Sequence, residues 1–399
     1  MQTVKFDAFI GKNRLRLGIS GDVSRGEVTR SEGGIAMMLV DPVLSVECEG
    51  IDFASIHPDV LALIGVLAFF PVLPETDFEL RTSFPVSANL QAALRRPWIL
   101  PGVSVSGNGV PGPYLPKVDT VISYGGGVDS LAASILFPGI PLVHETPLPT
   151  STATYTDVVN AILRRQPENW VVFDNLRQLF SAWGLPLWVA VYISSLIVEP
   201  RNIISGTEMT GTYLSGGVGY KPRNADVWYR VFQTIGVNIL PTSFLSEIGN
   251  ARIVMAGGRM NDAAYCVKID VPGCNRCTKC LRRRLIRAML NPKETVMVDE
   301  FVRSESIVEF LATRPLYYGD VFIHAAGSTA RPTWVNEHIA DLIEAHGSLA
   351  FHDAYYPDAF EHFGYPDELR KMAEEGMAAV GIPSFDAATR KQFETYSQL

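Results

Sequence analysis

Two stretches of this 399-residue chain place residue types at spacings that could do chemistry. The first is Val121-Ile-Ser-Tyr-Gly-Gly-Gly-Val-Asp-Ser130, an apolar run that breaks into three glycines and then an acid and a hydroxyl. Glycines let a backbone turn tightly and approach a ligand, and the first amides of a following helix have no carbonyl partner within that helix. Such amides, with the helix dipole behind them, bind anions and phosphates above all. Gly125, Gly126 and Gly127 would therefore wrap a phosphate, with Ser130 adding a hydroxyl donor. Asp129 repels phosphate, and its expected task is to hold a magnesium ion. The loop is not a Walker loop, because no Gly-Lys-Ser/Thr follows, and it lacks the later glycine and acid of the dinucleotide fingerprint. A plain strand-to-helix turn would need only one glycine.

The second stretch is Cys266, seven residues, then Cys274-Asn-Arg-Cys277-Thr-Lys-Cys280. Four thiolates within fifteen residues can close a tetrahedral, structural zinc site, and sets of four cysteines also suit an iron–sulfur cluster. Cys48 stands apart as an ordinary residue. Five cysteines in a chain of this length are too few for a disulfide scaffold and point to a reducing compartment.

The elements that must position these residues follow from hydrophobic periodicity. Val118–Tyr124, Ile140–Glu145, Trp170–Phe173 and Asn202–Gly206 read as strands. Between them, Ser130–Leu136, Tyr155–Arg165 and Leu185–Val198 read as helices, with Trp183 and Trp188 in the core. Alternation of this kind predicts an α/β fold with a doubly wound parallel sheet covered on both faces. Residues 1–100 are expected to form an N-terminal β-rich domain, with strands at Ile35–Val40 and Phe78–Phe84 and a helix at Ser87–Arg96. Residues 101–116, dense in Pro and Gly, read as a linker, 117–296 as the catalytic domain with its cysteine knuckle, and 297–399 as a helical extension. Trp334–His346 and Pro366–Val380 are its clearest helices.

Composition removes several classes. Hydrophobic residues make up 47% and charged residues 19%, which excludes a disordered chain. The net charge of −8 makes nucleic acid an unfavoured partner without a local basic patch. Arg276, Lys279, Arg282, Arg283, Arg284 and Arg287 form such a patch, read here as a solvated helix face. His352-Asp353 and Glu361-His362 read as surface decoration, and Tyr355, Tyr356, Phe360, Phe363 and Tyr365 as packing. The apolar run Val60–Phe70 has eleven residues, short of the ~20 that span a bilayer, and reads as a buried helix. Residues 1–12 carry no signal-peptide pattern. A cytoplasmic protein without a membrane segment is expected.

The glycine loop resembles the pyrophosphate loop of the N-type ATP pyrophosphatases, whose signature is Ser-Gly-Gly-x-Asp-Ser. Gly125 stands where that signature has its first serine, so Ser123 or backbone amides would take over its contacts. The loop followed by this cysteine spacing is similar to the 7-cyano-7-deazaguanine synthases, over roughly residues 117–292. The resemblance implies an adenine nucleotide alpha hydrolase-like fold and the cofactors ATP, Mg²⁺ and Zn²⁺. It implies zinc ligation by Cys266, Cys274, Cys277 and Cys280. Glu208, Thr210 and Tyr213 would line an acceptor pocket. The lysine those enzymes place before a Glu-Ile pair is missing at Glu247-Ile248, and Lys221 or Arg223 would supply that charge.

The activity implied is adenylation of a carboxylate, with Asp129 and Ser130 at the reacting phosphates. An amide or nitrile would then form with ammonia, an amine or a protein acceptor, the carboxylate being of the 7-deazaguanine type. The terminal segments, absent from those compact enzymes, would be a lid, an acceptor dock or a dimer contact. Two alternatives use the same loop: a sulfur-inserting enzyme acting on RNA, and a non-catalytic nucleotide-binding partner protein.

Overall fold

The structure is a computed structural model. It describes residues 1–23, 38–74, 77–96, 99–100, 102–147, 168–181, 187–214, 222–263, 277–291, 305–313, 316, 318–328 and 335–397. Ten strands form one sheet: β1 (Gln2–Gly11), β2 (Arg14–Gly21), β3 (Val43–Cys48), β4 (Phe78–Thr82), β5 (Ser104–Ser106), β6 (Val118–Ser123), β7 (Leu142–Pro147), β8 (Trp170–Asp174), β9 (Pro200–Ser205) and β10 (Asn238–Pro241). Their order is β10-β9-β6-β7-β8-β3-β2-β1-β4-β5. The run from β10 to β8 is parallel throughout, as are β1-β4 and β4-β5, while β3 joins β8, and β2 its neighbours, antiparallel. The chain is therefore α/β with a mostly parallel sheet.

The expected N-terminal strands do not form a separate sheet. Val46, Glu47 and Cys48 pair with Asp174, Phe173 and Val172, so the N-terminal strands extend the central sheet. Ser104–Ser106, within the expected linker, is the far edge strand beside β4. Residues 35–37 and the expected helix Tyr155–Arg165 lie outside the described residues, as do the side chains of Trp183 and Trp188. Leu39 makes a single bridge to Phe180 rather than a strand.

The helices among the described residues are α1 (Pro58–Phe69), α2 (Ala88–Leu94), α3 (Val128–Leu136), α4 (Leu187–Leu196), α5 (Met209–Tyr213), α6 (Pro222–Thr234), α7 (Glu247–Ala256), α8 (Thr278–Leu290), α9 (Glu305–Leu311), α10 (Gly319–Ser328), α11 (Glu337–His346), α12 (Asp358–His362), α13 (Asp367–Ala379) and α14 (Ala387–Ser397). Pro58 starts α1 at its first position and the His57 ring nitrogen accepts from the Asp59 amide. Every residue from Asp59 to Phe69 is buried, which is why this helix is apolar all round. A Cβ at Gly65 would lie 2.7 Å from the Phe6 ring, so glycine lets α1 settle onto β1 and β2.

The C-terminal helices belong to the same body. The Tyr365 hydroxyl donates to the carbonyls of Leu240 and Pro241 at the end of β10, at 3.0 and 2.9 Å. Gly376 of α13 sits where a Cβ would meet Leu136 of α3 at 2.7 Å.

Candidate active site

The strand order places two loops side by side. From β6 the chain moves through α3 to β7 on one side, whereas β9 pairs with β6 on the other. The loops leaving β6 and β9 therefore open at the same end of neighbouring parallel strands, where the strand order reverses. Open α/β sheets bind ligands at such a point.

The loop after β6 has the predicted form. Gly126 has φ +71°, a left-handed conformation that favours glycine, and Gly127 caps α3 with no side chain to satisfy the first amides. The Ser130 hydroxyl donates to the Gly127 carbonyl at 3.2 Å. A Cβ at Gly125 would touch nothing within 4 Å, so a serine would fit there. Ser123 is buried and donates to the Val191 carbonyl of α4, at 3.3 Å, which ties it to the scaffold.

Gly206 closes the gap between the loops. A Cβ there would lie 2.8 Å from the Ser130 amide nitrogen and 3.0 Å from the Asp129 carbonyl carbon. Glycine is needed for the two backbones to touch.

Charge converges on the start of α3. Asp129 accepts from the Asn250 side-chain amide at 3.0 Å. Burial raises its carboxyl above the usual range, the nearby Glu247 adds to this, and Lys279 and Arg283 oppose it. Arg283 is buried, and its guanidinium would be 3.4 Å from a Cβ on Gly127. Burial and the neighbouring Arg283 lower the Lys279 ammonium, while Asp129 pulls it back. Arg282 is buried against Glu247 at 2.6 Å and lies 3.6 Å over the Tyr318 ring centroid. Beside these groups a crevice opens between α3, α7 and α8, lined by Val128, Ala251, Met260, Arg283 and Ile286.

Within the basic cluster, the stripe Lys279, Arg282 and Arg283 is thus no solvated face. Lys279, Arg282 and Arg283 stand at i, i+3 and i+4 on α8, the spacing of one helix stripe, and both arginines are buried. That spacing, directly after a cysteine knuckle, was the readable signal for a positive wall. Lys221 lies outside the described residues and Arg223 is on α6 with its side chain undescribed, so the described positive charge at the loop comes from α8.

The loop after β9 is held rather than open. Glu208 caps α5, accepting from the amides of Thr210 at 2.5 Å and Gly211 at 2.9 Å. Its carboxyl is raised well above the usual range, first by burial and then by Asp129, Glu247 and Asp320. Thr210 has no exposed surface and donates to Asp320 of α10 at 2.6 Å. Tyr213 packs edge-on against Tyr356 and Phe393, at 5.5 and 5.7 Å between ring centres.

His352 was expected at the surface and is fully buried, with its ring nitrogen 3.4 Å from Asp320. His324, one turn along α10 from Asp320, is buried beside it, at 5.1 Å between rings. Tyr355, Tyr356, Phe360, Phe363 and Tyr365 pack as the sequence predicts, Phe360 stacking on Phe244 at 4.5 Å. At the ends of β7 and β8, Glu145 and Asp174 are also buried, and burial raises both carboxyls.

Cys277 precedes α8 and Cys280 lies in its first turn, with sulfurs 3.6 Å apart. Thiolates about 2.3 Å from a tetrahedral zinc stand about 3.8 Å from one another, so this pair fits one edge of such a site. Cys266 and Cys274 lie outside the described residues. Among the described residues, no group of three or more His, Cys, Asp or Glu could hold a metal ion. No described helix is long and apolar enough to cross a membrane.

Residues 227–397 match the model of a family described as a family of unknown function (DUF6395), a stretch that carries α8, Asp320 and His352 and leaves the glycine loop outside. Comparison with the curated proteins and with the solved structures finds no match.

Proposed function

We propose that the chain is an ATP-dependent, AMP-forming ligase that activates a small carboxylate and passes its acyl group to an amine. One observation carries this reading: an uncapped helix N-terminus after three glycines faces Lys279 and Arg283 at the reversal point of the sheet. Helix-start amides that no side chain caps, with fixed cations nearby, are what a polyphosphate requires. The strand order supports a finer reading of the fold: crossovers of the usual right hand from β6 to β7 and from β8 back to β9 would put α3 and α4 on opposite faces, the doubly wound arrangement of the N-type ATP pyrophosphatases.

In this reading a carboxylate oxygen of the substrate attacks the α-phosphorus of ATP. One P–O bond forms, the bond from the α-phosphorus to its bridging oxygen breaks, and pyrophosphate leaves. The amides of Gly125, Gly126 and Gly127 and the Ser130 hydroxyl hold the departing group, and Lys279 and Arg283 balance its charge. An amine then attacks the acyl carbon, AMP departs, and the amine loses its proton. Catalysis is mainly positioning and charge neutralisation. Asp129 would hold Mg²⁺, which neutralises phosphate charge when bound. Cys277 and Cys280, with Cys266 and Cys274, would hold a structural zinc. The preferred substrate is a 7-deazaguanine carboxylate, and a nitrile would require a second activation.

The test is incubation with MgATP and a panel of carboxylates including 7-carboxy-7-deazaguanine, with AMP and pyrophosphate measured by mass spectrometry. AMP release with one member supports the ligase. No AMP with any member, despite bound nucleotide, favours a nucleotide-binding partner protein.

A further inference from the structure

The loop after β9 contains a helix of only five residues, far too short to persist by itself. The Leu245 carbonyl and the Ser243 hydroxyl hold it from one side, and the C-terminal region holds it from the other. Thr210 donates to Asp320, and the buried His352 stands 3.4 Å behind that carboxylate. The 3₁₀ turn carrying His352 (Ala350–Asp353) is itself fixed to α7, because Ser246 donates to the His352 carbonyl at 3.2 Å and Arg252 pairs with Asp353. α7 also carries Asn250, the partner of Asp129. One rigid path therefore runs from the glycine loop through α7 and the 350–353 turn to Asp320 and back to Thr210.

We propose that Asp320 is a positioning residue, which through Thr210 sets the Gly206–Tyr213 loop against Asp129. Asp320 touches no reacting atom in this scheme. It acts through Thr210, and thereby through the Glu208 cap and the Gly206 contact with Ser130. The groups around it are Glu208 on α5, Glu247 on α7, Arg282 on α8, His324 on its own helix, His352 and Asp353 on the turn, and Tyr396 on α14.

Burial lifts the Asp320 carboxyl from 3.8 to about 6, against the hydrogen bonds from Thr210 and the Val321 amide. Burial keeps the His352 imidazole far below its usual range, so His352 stays neutral. Opening the loop would return Asp320 to water and to its ordinary acidity. The closed loop is the state with the raised value, so its advantage is complete below about pH 3.8 and is lost as pH rises from there through about 6.

This inference rests on the ligase reading only for its consequence, and its test uses no nucleotide. Hydrogen exchange of the full-length protein, followed by mass spectrometry and corrected for intrinsic rates, reads the 206–214 amides at pH 5 and 7.5. The wild type should lose about tenfold in protection between those pH values, as the two acidities require. Asp320→Asn keeps an acceptor for Thr210 and cannot ionise, so its protection should fall with pH less steeply than the wild type, leaving only the share of the buried Glu208. Thr210→Val should lose about tenfold at both pH values while α3 keeps its protection. An Asp320→Asn profile as steep as the wild type, or Thr210→Val amides protected like the wild type, overturns the proposal. Failure of the carboxylate panel leaves these outcomes readable.

Discussion

Replacing Gly206 by alanine tests the closest contact in the candidate site. The new methyl would lie 2.8 Å from the Ser130 nitrogen, where ordinary contact begins at 3.4 Å, a deficit of 3.4 − 2.8 ≈ 0.6 Å. The atoms it meets are backbone at the start of α3 and cannot rotate away. Either α3 retreats or β9 does, and overpacking of this kind costs about 1–3 kcal/mol. A retreat of about 0.6 Å would stretch a 2.9 Å amide–phosphate bond to about 3.5 Å, beyond a useful hydrogen bond. Losing one or two such bonds to an anion, at roughly 1.5–3 kcal/mol each, weakens MgATP binding by at least tenfold. Titration calorimetry with MgATP and urea unfolding of the same sample measure both effects. Gly125→Ser is the control, because its side chain enters open space at a position without a left-handed backbone. It should leave stability within about 0.5 kcal/mol and keep or tighten nucleotide binding. Wild-type affinity and stability in Gly206→Ala would refute the two-loop geometry.

Other outcomes follow from the same contacts. Asp129→Ala should abolish ATP–pyrophosphate exchange without unfolding the chain, as circular dichroism would verify. Asp129→Asn should raise the urea midpoint at pH 8 while removing that exchange. The folded carboxyl titrates above its unfolded value, so its stabilising share is lost as pH rises through that value, and asparagine cannot ionise. Glu247→Gln leaves the buried Arg282 without its carboxylate and should cost about 3–5 kcal/mol in urea unfolding, whereas Glu247→Met with Arg282→Met should cost less. Elemental analysis of protein purified without chelator should give one zinc per chain, lost in Cys277→Ser and retained in Cys48→Ser. Cys48, whose thiol burial pushes up to about 12, should resist alkylation at pH 8 until the protein unfolds.

The parts of the fold that could be read from sequence were those with local causes. Val118–Ser123, Trp170–Asp174 and Asp367–Ala379 lie within a residue of their expected bounds, because apolar periodicity and flanking breakers mark them. The Gly126 conformation follows from the glycine run itself. The union of β3 with β8 was not readable, since it pairs residues about 125 positions apart and leaves no local pattern. Burial of Arg282, Arg283 and His352 was misread for a similar reason. A charged side chain looks solvated until its partner is known, and Glu247 and Tyr318 lie 35 and 36 residues from Arg282, while Asp320 lies 32 from His352. The cysteine run is local in sequence, and Cys266 and Cys274 lie outside the described residues.

The hydrogen bonds between β3 and β8 have a practical side. A shortened chain beginning at Lys117 would strip β8 of its antiparallel neighbour and bare a row of amides and carbonyls that Val46, Glu47 and Cys48 now satisfy. Such a rim is sticky toward other strands. The first hundred residues thus serve as a sealed hem for the parallel half of the sheet, and trimming the chain to residues 117 onward would yield aggregates instead of a smaller folded protein.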